Sequence, residues 1–295
     1  MISEHDRQIL SQLPAWNPTG DIVAQRHAWE ELATVYNRDL PAIGGLEQNV
    51  ELRSGLRADV AVPKGAGRHP VVVYLHGGGW AFGSPASFRK LGMQFAEAGY
   101  LTIILDYRLA PEHPFPAALE DAVTIYRWLV QEFDPRRIAF VGDSAGGGLA
   151  LAALYKLRDE GLPLPAAAAA VSPWTDLALT GLSLKSNAAA DPWLNVTMLP
   201  ALAKGYLGDA DPRNHYASPL YGDASGLPPT LIHVGSDEIL RDDAVRMAEK
   251  LRAAGCEVEI EVWPRMPHAW HLYARILPEG RHAIARIGSF LQQRL

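Results

Sequence analysis

From residue 71 onward, short β-branched and aliphatic runs alternate with longer amphipathic stretches, and this alternation restricts the fold more than any other feature. Val71-Val72-Val73-Tyr74-Leu75, Leu101-Thr102-Ile103-Ile104-Leu105, Ile138-Ala139-Phe140-Val141, residues 166–171, residues 230–234 and residues 258–262 read as strands. Residues 87–98, 117–132, 145–160 and 242–254, between them, carry helical spacing. Strands that are apolar throughout are buried on both faces. The pattern therefore predicts an α/β chain, with a central, mostly parallel sheet and helices on both sides.

Two regions depart from the alternation. In the first 45 residues Ile9, Leu10 and Leu13, then Ile22, Trp29, Leu32, Val35 and Tyr36, recur at helical spacings. Pro14, Pro18 and Gly20 interrupt them, which predicts two short helices. Val50, Leu52, Leu56, Ala58, Val60 and Val62 then alternate about Ser54-Gly55, predicting two antiparallel strands. The second departure is residues 182–223, too long for one crossover helix. Its helix-like part, 193–207, lies between Asp191-Pro192 and Asp211-Pro212, and the segment reads as an insertion that covers something. The expected organisation is N-terminal cap helices (1–45), a core in two parts (46–181 and 224–295) and a cap insertion (182–223).

Nearly half of the residues are apolar, enough for a full core, and the formal net charge is −6. An acidic balance argues against a nucleic-acid partner, which needs a basic face. Cys256 is the only cysteine, so no intrachain disulfide can form and a small apolar filler is expected there. The first seven residues lack the basic and apolar regions of a signal peptide. No apolar run approaches the ~18 residues that a membrane span needs. A cytoplasmic protein without stable membrane association is expected, and the sequence leaves a homodimer open.

The strand at 138–141 runs into Gly142-Asp143-Ser144-Ala145-Gly146, and a helix follows at once. Gly-x-Ser-x-Gly in strand–turn–helix context holds a serine in a strained turn with its hydroxyl exposed at the edge of a sheet. Ser144 is thus the candidate nucleophile. Upstream, His76-Gly77-Gly78-Gly79-Trp80 follows the strand at 71–75. Acyl transfer through a serine creates an oxyanion that must meet N–H donors already in place. A glycine-rich loop can turn its amides inward, and a further N–H comes from the residue after the nucleophile, Ala145. His76 is read as a structural histidine of that loop.

The general base and its acid partner should follow in the order acid, then histidine. The strand at 230–234 ends in Gly235-Ser236-Asp237-Glu238, which places Asp237 on the same sheet edge as Ser144; Glu238 is the closest competitor. Asp242 and Asp243 open the next helix, where acids serve as caps. His268 lies in the loop after the last strand and is the expected base. His271 falls at a helix start, His282 inside a helix and His233 inside a strand. No His/Cys/Asp cluster shows metal-ligand spacing, so neither a metal nor an organic cofactor is expected.

Taken together these motifs resemble the hormone-sensitive-lipase-like branch of the α/β-hydrolase fold, the bacterial family IV esterases. The resemblance rests on residues 76–80, on Asp106-Tyr107-Arg108-Leu109-Ala110-Pro111-Glu112 with Pro114-Phe115-Pro116-Ala117, and on residues 142–147. It extends through Ser218-Pro219-Leu220, Gly235-Ser236-Asp237 with Leu240 and Asp242, and His268. It implies a carboxylesterase with a Ser144–His268–Asp237 triad, oxyanion donors at Gly78, Gly79 and Ala145, and a cap over the site. By the same resemblance the 106–112 motif is structural. Ala269-Trp270 stands where these enzymes often carry a glycine and an aromatic, which could narrow the pocket. Trp80 and Phe82 are expected to shape the pocket, while Trp193 and Tyr206 are read first as packing within the cap. A small-molecule ester with a short-to-medium acyl group is the expected substrate. A lactone hydrolase, a deacetylase and a non-catalytic binding protein of this fold are the alternatives.

Overall fold

The computed structural model describes residues 21–295, so the helix expected around Ile9 to Leu13 lies outside the described residues. Eight strands form one sheet: β1 (Gly45–Glu51), β2 (Arg57–Val62), β3 (Val71–Leu75), β4 (Leu101–Asp106), β5 (Ile138–Asp143), β6 (Ala167–Val171), β7 (Thr230–Gly235) and β8 (Val258–Trp263). Their spatial order is β1-β2-β4-β3-β5-β6-β7-β8. β1 and β2 pair antiparallel, as the alternation about Ser54-Gly55 predicted, and β2 pairs antiparallel with β4. Every other pairing is parallel.

Side-chain alternation along the central strands divides the core into two layers. Val71, Val73 and Leu75 of β3 face helices α3 (Ala117–Glu132), α4 (Ala145–Asp159) and, further along the sheet, α7 (Arg241–Ala253). Val72 and Tyr74 face the other way, toward α2 (Arg89–Glu97) and α8 (Pro278–Gln292). The chain passes from β3 outward to β4, then crosses back to β5 and proceeds to β8. The direction of winding thus reverses between β3 and β5, and in open α/β sheets the crevice at the carboxyl ends of such strands is where ligands bind.

Among the described residues three further α-helices lie outside this frame: α1 (Ile22–Tyr36), the short α5 (Ser183–Ser186) and α6 (Leu199–Leu207). Asp21 caps α1 by accepting from the Ala24 N–H at 2.9 Å. Arg26 then fastens α1 to the core. Its guanidinium donates to the carbonyls of Ala81 (2.9 Å) and Ala110 (3.0 Å) and forks onto Glu112 (2.7 and 2.8 Å). The 106–112 motif is structural here: Tyr107 donates to the His76 carbonyl at 2.6 Å, and Arg108 pairs with buried Asp121. Among the described residues no helix is long and apolar enough to cross a membrane.

Candidate active site

The turn after β5 places Ser144 where the chain leaves the sheet for α4. Its backbone sits at φ 52°, ψ −121°, a conformation costly for any residue with a Cβ. Neighbouring strands hold it there: its N–H donates to Val171 O (2.8 Å), and its carbonyl accepts from Trp174 (3.0 Å) and Gly148 (3.0 Å). Gly146 is required by close approach, since a Cβ at that position would come within 2.0 Å of the Leu75 carbonyl oxygen. The start of α4 thereby lies directly on β3. Ala145 is the first residue of α4, and N–H groups of a first helical turn have no partner within their helix.

Gly78 and Gly79 flank the same point from the end of β3. Both have positive φ (117° and 61°), and the Gly78 carbonyl accepts from Ala81 and Phe82 to close the turn. Asp143, fully buried beside Ser144, fastens this loop through Oδ1, which accepts from the Tyr74 hydroxyl (2.5 Å) and the Gly77 N–H (3.0 Å). Burial pushes its carboxyl up to about 6 against those donors. His76 is structural, as expected. Nδ1 lies 2.8 Å from its neighbour's carbonyl, the ring stacks on Tyr107, and burial pushes its pKa down to about 4.

His268 closes the arrangement. Its Nε2 lies 2.9 Å from Ser144 Oγ and its Nδ1 3.0 Å from Glu238 Oε2. A carboxylate on Nδ1 requires the proton there, which leaves Nε2 free to accept from the serine. Burial disfavours the imidazolium, but the hydrogen bond and charge of Glu238 outweigh it, and the histidine titrates above its ordinary value. Burial likewise holds the Glu238 carboxyl above its ordinary value, against the hydrogen bonds from His268, Ser172 and Gly235. A hydroxyl on an imidazole that is oriented by a buried carboxylate is the arrangement that activates a nucleophile.

The expectation that Asp237 would occupy this place is overturned. Asp237 is only half-buried and accepts from the hydroxyl of its neighbour Ser236 at 2.7 Å. The chain turns back after β7, with the Glu238 N–H reaching the Gly235 carbonyl at 3.4 Å. That turn sends the residue after Asp237 inward, and the extra methylene of glutamate spans the remaining distance. Glu238 is completely buried. His271 and His233 are both buried away from Ser144; His233 Nε2 lies 3.4 Å from Glu261 Oε2, and burial pushes His271 down to about 3. His282 is exposed on α8.

A cavity of about 550 Å³, partly open to solvent, lies over Ser144, His268, Gly78 and Gly79. Trp29 of α1, Phe82, Trp193, Leu202 of α6 and Leu272 form its apolar walls. Phe82 lines the cavity, and Trp193, read from sequence as packing, lines it as well. Trp80 does not line it. With its backbone at φ 56°, its indole is buried beneath the loop and stacks on Tyr206, ring centroids 4.1 Å apart. Ala269 adopts a left-handed backbone (φ 53°) and lines the cavity, while Trp270 is buried in the core.

Three contributors escaped sequence reasoning. Asn187 donates to the carbonyls of Ser236 (2.9 Å) and Glu238 (2.8 Å), and Asp191 accepts from the Ile239 N–H (3.1 Å). Both belong to the 182–223 segment, so that segment grips the loop bearing Glu238. Ser172, beyond the end of β6, donates to Glu238 Oε1 at 2.6 Å. Its one sequence signal is its place at the carboxyl end of a predicted strand.

Fold and site together define an α/β hydrolase. A family model described as the alpha/beta hydrolase fold matches residues 72–272. The chain is 50% identical to an acetyl-hydrolase of Streptomyces hygroscopicus over 223 residues, 75% of either chain. It is 37% identical to an esterase of Acinetobacter venetianus over 75% of this chain and 74% of that one. Among solved structures, an esterase of the bacterial hormone-sensitive lipase family aligns with TM-score 0.91 at 42% identity, covering 100% of this chain and 99% of the other. The esterase EstE5, in a crystal soaked with p-nitrophenyl butyrate, aligns with TM-score 0.88 at 38% identity, covering 98% and 97%. The chain belongs to the α/β-hydrolase family, in its hormone-sensitive-lipase-like branch of carboxylesterases. It is a carboxylic-ester hydrolase.

Proposed function

We propose that this enzyme hydrolyses neutral esters of short-to-medium acyl groups in two acyl-transfer steps, with Ser144 as nucleophile, His268 as base and Glu238 as its carboxylate partner. The observation that carries this reading is the continuous contact from Ser144 Oγ through His268 to Glu238, at 2.9 and 3.0 Å. His268 takes the hydroxyl proton as Ser144 attacks the carbonyl carbon, and Glu238 stabilises the imidazolium. The N–H groups of Gly78, Gly79 and Ala145 receive the oxyanion. Collapse expels the alcohol, which leaves with the proton from His268. Water, activated by the same imidazole, then cleaves the acyl-serine.

Two features support the substrate class. The cavity walls are aromatic and aliphatic, and among the described residues the one titratable group lining it apart from His268, Asp143, is already engaged by Tyr74 and Gly77. The acetyl-hydrolase among its relatives favours the short end of the range. We further propose that α1 and residues 182–223 form the cap over the site, since Trp29, Trp193 and Leu202 reach the cavity from them.

The test is a panel of p-nitrophenyl esters from acetate to octanoate on wild type and Ser144→Ala, with titration of wild type by a p-nitrophenyl phosphonate. Hydrolysis strongest at the short end, absent in the variant, with one equivalent of phosphonylated enzyme, is expected. Retained hydrolysis in Ser144→Ala would sink the assignment.

A further inference from the structure

We propose that Ser172 is a positioning residue for the acid–base pair, fixing the oxygen of Glu238 that His268 does not use; this rests on the roles proposed above. Ser172 is completely buried, and its N–H donates to the His233 carbonyl of β7 at 2.7 Å. Its hydroxyl donates to Glu238 Oε1 at 2.6 Å and accepts from the Ala269 N–H at 3.1 Å. One oxygen atom therefore touches both the acid, carried beyond β7, and the residue directly after the base, carried beyond β8. Both contacts are made from the loop beyond β6, whose first residue is Ser172.

The backbone sharpens the argument. Ser172 has φ 50°, a left-handed conformation that is unusual for a residue other than glycine, asparagine or aspartate. Such an outlier persists only when its surroundings fix it. Glycine would adopt this backbone more readily, so a serine here points to use of the hydroxyl.

Without that hydroxyl, Glu238 Oε1 keeps a single donor, the Gly235 N–H at 2.6 Å. The terminal torsion of a glutamate is broad, so a carboxylate held at one oxygen can rotate. Oε2 then loses its alignment on His268 Nδ1, and the Ala269 N–H is left buried without its acceptor. The charge balance moves as well. The Ser172 O–H dipole points its positive end at the carboxylate, and its removal makes the potential at His268 more negative. The hydrogen bond to Glu238 is the chief influence raising the His268 pKa, so its lost alignment outweighs that dipole: the imidazolium becomes harder to form, and the acidic limb of the rate profile moves to lower pH.

The experiment compares Ser172→Ala, Ser172→Gly and Glu238→Ala with wild type on p-nitrophenyl butyrate from pH 5 to 9, scaling rates to thermal midpoint and to phosphonate-titratable sites. For both Ser172 variants kcat is expected to fall roughly 10- to 100-fold per titrated site with KM within about twofold of wild type, the size found when an outer-shell partner is removed. The acidic limb should move to lower pH. The glycine variant should fold at least as well as the alanine one, because it relieves the left-handed backbone. Wild-type kcat and an unshifted limb per titrated site, with Glu238→Ala impaired, would overturn the role of Ser172 alone. An unimpaired Glu238→Ala would instead overturn the preceding assignment of Glu238.

Discussion

Replacing Glu238 by glutamine changes little in volume, yet the structure predicts a large effect on catalysis. Oε1 accepts two donors, the Ser172 hydroxyl and the Gly235 N–H, each at 2.6 Å. The backbone N–H cannot turn round, so the amide oxygen of a glutamine must occupy that position. Its NH2 group then faces His268 Nδ1, now 3.0 Å from Oε2, and two donors cannot share that contact. The imidazole must move its proton to Nε2, the nitrogen that has to accept from Ser144. Forcing the wrong tautomer in a serine–histidine–carboxylate system costs about 10⁴-fold in kcat, equivalent to ~5 kcal/mol of transition-state stabilisation. For Glu238→Gln we expect a loss of ~10³- to 10⁴-fold in kcat on p-nitrophenyl butyrate, with KM little changed and the thermal midpoint near that of wild type. Asp237→Asn, where the carboxylate accepts from the Ser236 hydroxyl and not from His268, should stay within about twofold of wild type. Glu238→Gln within tenfold of wild type, or Asp237→Asn as impaired as Glu238→Gln, would refute the reasoning.

Two other outcomes follow from the same geometry. Only neutral His268 can accept the serine proton, and Glu238 holds its pKa above the usual 6.5 against the effect of burial. kcat/KM should therefore fall with decreasing pH through a midpoint above 6.5, and a midpoint at or below 6.5 would contradict the pairing. Because the folded-state pKa is the higher one, the stability this group contributes is complete below the unfolded value and is lost as pH rises through the folded one. Gly146→Ala would drive a methyl to within 2.0 Å of the Leu75 carbonyl oxygen. Backbone cannot give way as a flexible side chain does, so a cost of about 3 kcal/mol or more is expected, read as a fall of ~6 °C or more in thermal midpoint. A midpoint equal to wild type would show that α4 can lift off β3.

The 182–223 segment joins the pocket to the loop that carries Glu238 in a way the sequence did not disclose. Its side chains Trp193 and Leu202 line the cavity, while Asn187 and Asp191 bind the backbone around Glu238. The segment that reaches the cavity is thus also attached to the backbone of the loop that carries Glu238. Arg26 gives α1 a comparable attachment, through the Ala81 carbonyl, three residues after Gly78 of the glycine loop, and through the Glu112 fork.

What the sequence determined by itself was whatever depends on local pattern. The apolar runs at 71–75, 101–105 and 138–141 became β3, β4 and β5, and the alternation about Ser54-Gly55 became the antiparallel β1–β2 pair. Gly142 to Gly146 placed Ser144 between β5 and α4, and His268 came to it from beyond β8, 124 residues away in sequence. These were legible because periodicity, glycine spacing and strand order are properties of neighbouring residues. Three matters were decided by the tertiary structure alone. Asp237 and Glu238 are adjacent carboxylates with the same charge, and only the turn after β7 determines which one points inward. Trp80 follows the glycine loop, but its positive φ turns the indole onto Tyr206 and away from the cavity. Ser172 meets Glu238 across 66 residues of chain, and no local signal marks a hydroxyl for such a contact. Local pattern sets which elements form and in what order, whereas the direction of a side chain at a loop is set by backbone torsions that only the packed strands impose.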